Sequence, residues 1–199
     1  MKKIPTLFIR PQLSKGDHTV APIVTPGLEW VLEGEGVATL KWDGTPVYYD
    51  GRKWYKRYDA KKGKQPPEGS IPCQEAPDPV TGHWPHWTPI LWTGSSDVYI
   101  MQAIRNSSSF ELVPFGGVGT YEAVGYKIQG NPYNFSSHSL RKHGICEIPD
   151  FPRDYEGMME YLKHNVMEGV VFWKDGEPRC KIKRTDFGFS WPMKEGETP

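Results

Sequence analysis

Cysteine is scarce. Cys73, Cys146 and Cys180 are three, an odd number at long and unrelated spacings, which argues against a disulfide framework and fits a reducing, cytoplasmic setting. Long apolar runs are missing too: no stretch approaches the ~20 residues of a membrane span, so a soluble chain with no membrane partner is expected. The apolar run after Lys2 and Lys3 breaks at Pro5 and stops at Arg10, unlike a signal peptide. Net charge is also absent, since 24 Lys and Arg balance 24 Asp and Glu. Any nucleic-acid contact must therefore come from a local basic surface. Nothing in the sequence calls for an obligate protein partner.

What is plentiful is punctuation. The 19 Pro and 21 Gly, with 37% hydrophobic residues, point to an α+β chain in which strands and turns dominate. The length suits one domain over 1–199, with a core over about 28–186 and a tail over 187–199. Ile4–Ile9 reads as a short strand, and Leu28, Val31 and Leu32 share one face of a short helical turn. From Val37 the pattern is a meander: VATLKW, a turn at Asp43-Gly44, TPVYY, a turn at Asp50-Gly51, then RKWYKRY. A helix capped by Ser95 or Ser96 runs to about Asn106 and buries Val98, Met101, Ala103 and Ile104. GVGTYEAVG reads as a strand and HSLRKHG as a short strand or connector. Asp154 starts a helix with Tyr155, Met158, Met159 and Leu162 inward. EGVVFW and EPRCKIKR form a hairpin about Asp175-Gly176.

Residues 61–89 read as loop, because so many are Pro or Gly. Cys73, His83 and His86 fall there, but their spacing matches no closed zinc pattern, and alternation of the histidines with Trp84 and Trp87 suggests packing or base stacking. Just upstream, RKWYKRYDAKKGK holds seven basic residues against one Asp. Arg52, Lys53, Lys56, Lys61, Lys62 and Lys64 are candidate nucleic-acid contacts, a solvated hairpin being the even alternative. Arg141 and Lys142 join them.

Lys41 stands between a strand and an Asp-Gly turn. Alone, Lys-x-Asp-Gly is more often a turn beside a solvated lysine than a catalytic motif. Four more pieces follow in order: Arg57, Tyr121-Glu122, Glu168-Gly169-Val170-Val171, and Cys180-Lys181-Ile182-Lys183. In order and spacing the set resembles motifs I, Ia, III, IV and V of the covalent nucleotidyltransferases, the superfamily of ATP-dependent polynucleotide ligases and mRNA-capping guanylyltransferases. The resemblance covers roughly 37–184. YEAVGYKIQGNPY and the Pro-rich loop before WTPILW look like the small 5′-to-3′ RNA ligase family.

That resemblance implies an antiparallel-sheet-rich, ATP-grasp-like nucleotidyltransferase catalytic domain, without the C-terminal OB domain of larger relatives. It implies an ATP-dependent RNA ligase in which Lys41 attacks the α-phosphate and carries AMP. The AMP passes to the 5′-phosphate of an RNA, which is then joined to a 3′-hydroxyl. A lysine nucleophile must shed its proton, and its ordinary pKa is about 10.4, so positive charge must lie close by. The implied roles are Lys181 and Lys183 on the phosphates, Glu168 on hydrated Mg²⁺ (or Mn²⁺), Glu122 accepting from a ribose hydroxyl, Arg57 on the ribose or phosphate, and Leu40, Asp43 and Gly44 around the nucleotide. Sealing DNA, using GTP for capping, binding single strands without catalysis, and passing AMP to protein are the alternatives.

Overall fold

Where the sequence predicts a hairpin at Asp43-Gly44, the structure parts the two strands. This computed structural model describes residues 1–11, 18–93, 97–109, 111 and 113–194. In chain order the elements are β1 (Val37–Lys41), β2 (Thr45–Tyr49), β3 (Trp54–Ala60), β4 (Ile71–Pro72), β5 (Trp84–Pro89), α1 (Val98–Asn106), β6 (Gly119–Val124), β7 (Ser139–Lys142), α2 (Tyr155–His164), β8 (Gly169–Lys174) and β9 (Glu177–Lys183). β1 joins a three-stranded sheet in the order β1-β8-β9, whereas β2 joins a six-stranded sheet in the order β4-β5-β3-β2-β6-β7. The chain makes two units, Met1–Lys3 with Asp43–His143, and Ile4–Trp42 with Gly144–Pro199. The Lys-Trp-Asp-Gly stretch therefore straddles their boundary. Gly44 serves a different purpose from the expected one: it is absent from the positive-φ glycines, and a Cβ there would lie 2.2 Å from the Ala123 carbonyl oxygen. It is needed for close approach to β6.

In the first unit, one face of the six-stranded sheet presents Val47, Tyr49, Trp54, Tyr121 and Ala123 to Ile100, Met101, Ala103 and Ile104 of α1. Met101, Ala103 and Ile104 are buried as expected of that helix, Ile100 joins them, and the expected Val98 is only half-buried. The proposed caps Ser95 and Ser96 lie outside the described residues, and Asp97 precedes the helix without a side-chain cap bond. Asp97 is buried and its carboxylate receives Lys56. The Asp50-Gly51 turn forms as expected, with the Asp50 carboxylate accepting from the backbone N–H groups of Arg52 and Lys53 at 2.7 Å each.

Residues 84–89, expected as loop, form β5 between β3 and β4. Ile90 N–H donates to Trp54 O of β3 at 3.1 Å, so by alternation the positions of Pro85 and Pro89 face the other side. There β4 supplies only Ile71 and Pro72. The prolines thus forfeit little ladder bonding. His86 is buried, sits 2.8 Å by Nδ1 from Trp84 O and meets the Trp84 ring edge-on.

In the second unit the core joins Ala38, Val170, Phe172, Cys180 and Ile182 of the sheet to Met158 and Leu162 of α2. Asp154 caps α2 by accepting from Gly157 N–H at 2.8 Å. Asp175 and Gly176, both at positive φ, close the expected β8–β9 hairpin. Ile4–Ile9 forms only isolated bridges, yet Leu7 and Phe8 lie in the core and Leu7 N–H bonds Lys181 O at 2.8 Å. The core therefore begins before residue 28. Beyond residue 186 the chain also packs: Phe187 meets Tyr155 edge-on and Ser190 O accepts from Arg184 at 2.9 Å. No helix among the described residues is long and apolar enough to cross a membrane.

Candidate active site

Strand register gathers four of the candidate residues in the second unit. Lys41 of β1 stands opposite Gly169 of β8, which stands opposite Lys183 of β9; in the next row on that face Thr39, Val171 and Lys181 align. Residues paired across strands project to the same face, and alternation sends their neighbours to the other. With Ala38, Val170, Cys180 and Ile182 committed to the core against α2, the three lysines must share the opposite face. Two strand spacings of about 4.8 Å put Lys41 and Lys183 roughly 10 Å apart along the row. Gly169 between them adds no side chain. A Cβ there would come within 2.3 Å of Ile182 O and 2.8 Å of Lys183 Cα, so glycine also lets β8 and β9 close. Leu40 projects the other way, packing on the apolar core.

Glu168, one residue before β8, lies 2.5 Å by Oε2 from Lys41 Nζ. Its backbone carbonyl accepts from Arg184 N–H at 2.9 Å. Arg184 is itself buried, its guanidinium bonded to the carbonyls of Leu162, Lys163 and Ser190. That satisfies carbonyls the α2 terminus leaves open and anchors the carboxylate's backbone. Three ammonium groups share this face with Glu168 and with Glu147, which is bridged to Thr39 of β1; the cationic excess attracts anions. Among the described residues no group of three His, Cys, Asp or Glu could enclose a metal. Glu168, one carboxylate beside the lysine row, would suit a hydrated Mg²⁺, which keeps most of its waters and binds phosphate.

Arg57 and Glu122 lie in the first unit. They share the sheet face opposite α1: Lys56 pairs with Val47 on the α1 face, and Pro46 pairs with Glu122 on the other. Continuing the β2–β3 register by one residue aligns Arg57, Pro46 and Glu122 in one row. Arg57 Nε bonds Asp59 at 3.0 Å, and Nη1 donates to Met1 O at 3.2 Å. Glu122 is buried and lies 2.9 Å from Nε2 of His143, whose Nδ1 is 3.0 Å from Thr120 Oγ1. Sequence reasoning missed His143. The signal was the alternation Ser139, Arg141, His143, useful only once β7 is known to pair with β6. Asp43 N–H donates to Tyr133 Oη at 2.9 Å, another partner far away in sequence.

The basic run does not make one surface. β3 divides it, leaving Arg52 and Lys53 exposed before the strand and Lys61, Lys62 and Lys64 exposed after it. Seven strand residues span about 20 Å. Lys56 faces α1 and is held by Asp97. Trp87 is 7% exposed and packs on Tyr48, so packing decides its place over base stacking. Lys142 bonds Gly116 O, and the Arg141 guanidinium lies 5.0 Å from the Phe135 ring.

With the lysine row and its carboxylate in place, comparison with curated proteins becomes informative. The chain is similar to RNA ligase 1. The Pongo abelii protein is 29% identical over 164 residues, covering 65% of this chain and 50% of that protein. RNA ligase 1 of Rattus norvegicus is 28% identical over 166 residues, with the same coverage. The Danio rerio protein is 24% identical over 139 residues, covering 56% of this chain and 43% of that one. This chain spans about half the length of the curated relatives it matches. No family model matches it. The likeness supports an RNA ligase family, and the α+β, antiparallel-sheet-rich architecture is consistent with the fold class read from the sequence.

Proposed function

We propose that the chain is an ATP-dependent RNA ligase that works through AMP bound covalently to Lys41. The observation that carries this reading is the row Lys41–Gly169–Lys183, with Lys181 in the next row and Glu168 on Lys41 Nζ: groups that would serve as nucleophile, two phosphate-binding cations and proton acceptor on one sheet face. Similarity to RNA ligase 1 supports RNA as the substrate class. Glu122 would accept a hydrogen bond from a ribose hydroxyl of the nucleotide, and Arg57 would contact its ribose or phosphate. The exposed Arg52, Lys53, Lys61, Lys62 and Lys64 would hold the RNA backbone.

The chemistry balances on these groups. Lys41 first passes one ammonium proton to the Glu168 carboxylate; its free amine then attacks the α-phosphorus of ATP, the bond to the bridging oxygen breaks, and pyrophosphate leaves with the second proton that Nζ sheds as the N–P bond forms. Lys181 and Lys183 offset the charge that builds on the phosphoryl oxygens. A hydrated Mg²⁺ beside Glu168 would supply further charge neutralisation. An oxygen of the RNA 5′-phosphate then displaces Lys41 from phosphorus, and a 3′-hydroxyl finally attacks the activated 5′-phosphate with release of AMP.

Intact mass after incubation with ATP or GTP and Mg²⁺ tests the first step. The expected result is a gain of one AMP from ATP alone, lost in Lys41→Ala. A GMP adduct would turn the reading towards capping. No adduct with either nucleotide, or an adduct that persists in Lys41→Ala, refutes it.

A further inference from the structure

The second unit holds a cavity of about 550 Å³ lined by Arg10, His18, Thr19, Lys183, Thr185, Gly188 and Phe189. Only Lys183 belongs also to the lysine row. Behind the wall sits Asp186, fully buried, and it fixes three of the lining segments. Its carboxylate accepts from Arg10 Nη2 at 2.5 Å and from the Lys183 backbone N–H at 2.8 Å. Its carbonyl accepts from Val20 N–H at 2.8 Å, next to Thr19. Gly188, at φ 83°, turns the chain so that Phe189 follows it into the wall. The lining is thus a set of cations and hydroxyls held from behind by one carboxylate, with an aromatic side chain at one wall. Its volume lies in the range of small-ligand sites.

We propose that this cavity binds the terminal phosphate of a nucleotide or nucleotide chain. Arg10 and Lys183 supply the attraction, and His18, Thr19 and Thr185 supply ring N–H and hydroxyl donors matched to phosphate oxygens. Among the described residues of the arrangement the carboxylate is Asp186, which already bonds Arg10 and so does not face an incoming anion alone. Two sources share this chemistry, the 5′-phosphate of an RNA and the polyphosphate tail of a nucleoside triphosphate. The proposal deepens the ligase reading through Lys183 alone.

Binding by the full chain is measured without Mg²⁺, so that no bond is made or broken. The probes are a short 3′-labelled RNA with a 5′-phosphate, the same RNA with a 5′-hydroxyl, and inorganic tripolyphosphate. His18 is exposed, so His18→Glu tests charge at little cost to folding; Thr185→Val removes a hydroxyl at constant shape. The expected result is a phosphate-dependent affinity weakened about tenfold in His18→Glu and about threefold in Thr185→Val, the hydroxyl RNA being unaffected. Loss confined to the 5′-phosphorylated RNA assigns the cavity to a strand end. Loss confined to tripolyphosphate assigns it to the triphosphate tail, and loss of both to a shared phosphate site. Unchanged affinity of His18→Glu for both phosphate probes overturns the proposal. Failure of Lys41 to take up AMP would sink the ligase reading without touching this result.

Discussion

Replacing Gly169 by alanine adds one methyl group at the centre of the lysine row. The new carbon would lie 2.3 Å from Ile182 O and 2.8 Å from Lys183 Cα, where ordinary contact begins at 3.4 Å. Both obstacles are backbone, so no side-chain rotation relieves them. β8 and β9 must separate by about 1 Å, and that displacement carries Lys183 away from Lys41. A shift of 1 Å in catalytic groups costs about 100-fold in rate, and overpacking costs about 1–3 kcal/mol of stability. The Lys183 end of β9 is held independently, by Asp186 on the Lys183 N–H, so the variant should fold. The assay is single-turnover transfer of labelled AMP to Lys41 under saturating ATP, with circular dichroism and thermal unfolding as controls. A folded Gly169→Ala protein that takes up AMP at the wild-type rate refutes the argument that this glycine sets the row.

Burial holds the His138 imidazole below its ordinary pKa; it lies between the rings of Tyr99 and Tyr126. The unfolded chain takes up the proton first, near its ordinary value of about 6.5, so stability is intact above that pH and falls as pH drops below it. Unfolding midpoints from pH 8 to 5 should fall more steeply for wild type than for His138→Phe; equal slopes would exclude the effect. Burial also pushes the Cys180 thiol up to about 12, so alkylation of the folded protein at pH 8 should mark Cys73 and Cys146 and spare Cys180 until unfolding. Mass mapping of the modified cysteines checks this, and equally rapid modification of Cys180 contradicts it. Asp154→Ala removes the α2 cap and should cost about 1 kcal/mol, read as a lowered denaturation midpoint; an unchanged midpoint would mean that the cap contributes nothing.

Local chemistry was legible in the sequence, and long-range pairing was not. The turns at Asp50-Gly51 and Asp175-Gly176 could be read because their geometry depends on adjacent residues. The two helices followed from apolar spacing, although Ile100 joined the buried face of α1 and Met159, expected inward on α2, lies outside the core. The Asp43-Gly44 hairpin failed because the same letters suit a change of sheet, and only the contact with Ala123 shows what Gly44 is for. β5 was hidden because its prolines look like loop until the side that each N–H would face is known. The lysines and Glu168 were visible as a motif, while their common face depends on a register between distant strands. His143 and the Arg10–His18 cavity stayed unseen for the same reason: their partners lie far away in sequence.

The division of the chain between Trp42 and Asp43 bears on the order of assembly during synthesis. Glu168 follows Lys41 by 127 residues, and every strand of the six-stranded sheet lies between them. A chain made from its N-terminus therefore completes the strands of that sheet first. β1 emerges early but has neither β8 nor β9 to pair with until much later. The proposed nucleophile acquires its carboxylate and its neighbouring lysines only once β8 and β9 have been made, so a chain halted before β8 displays Lys41 without the groups that would make it react.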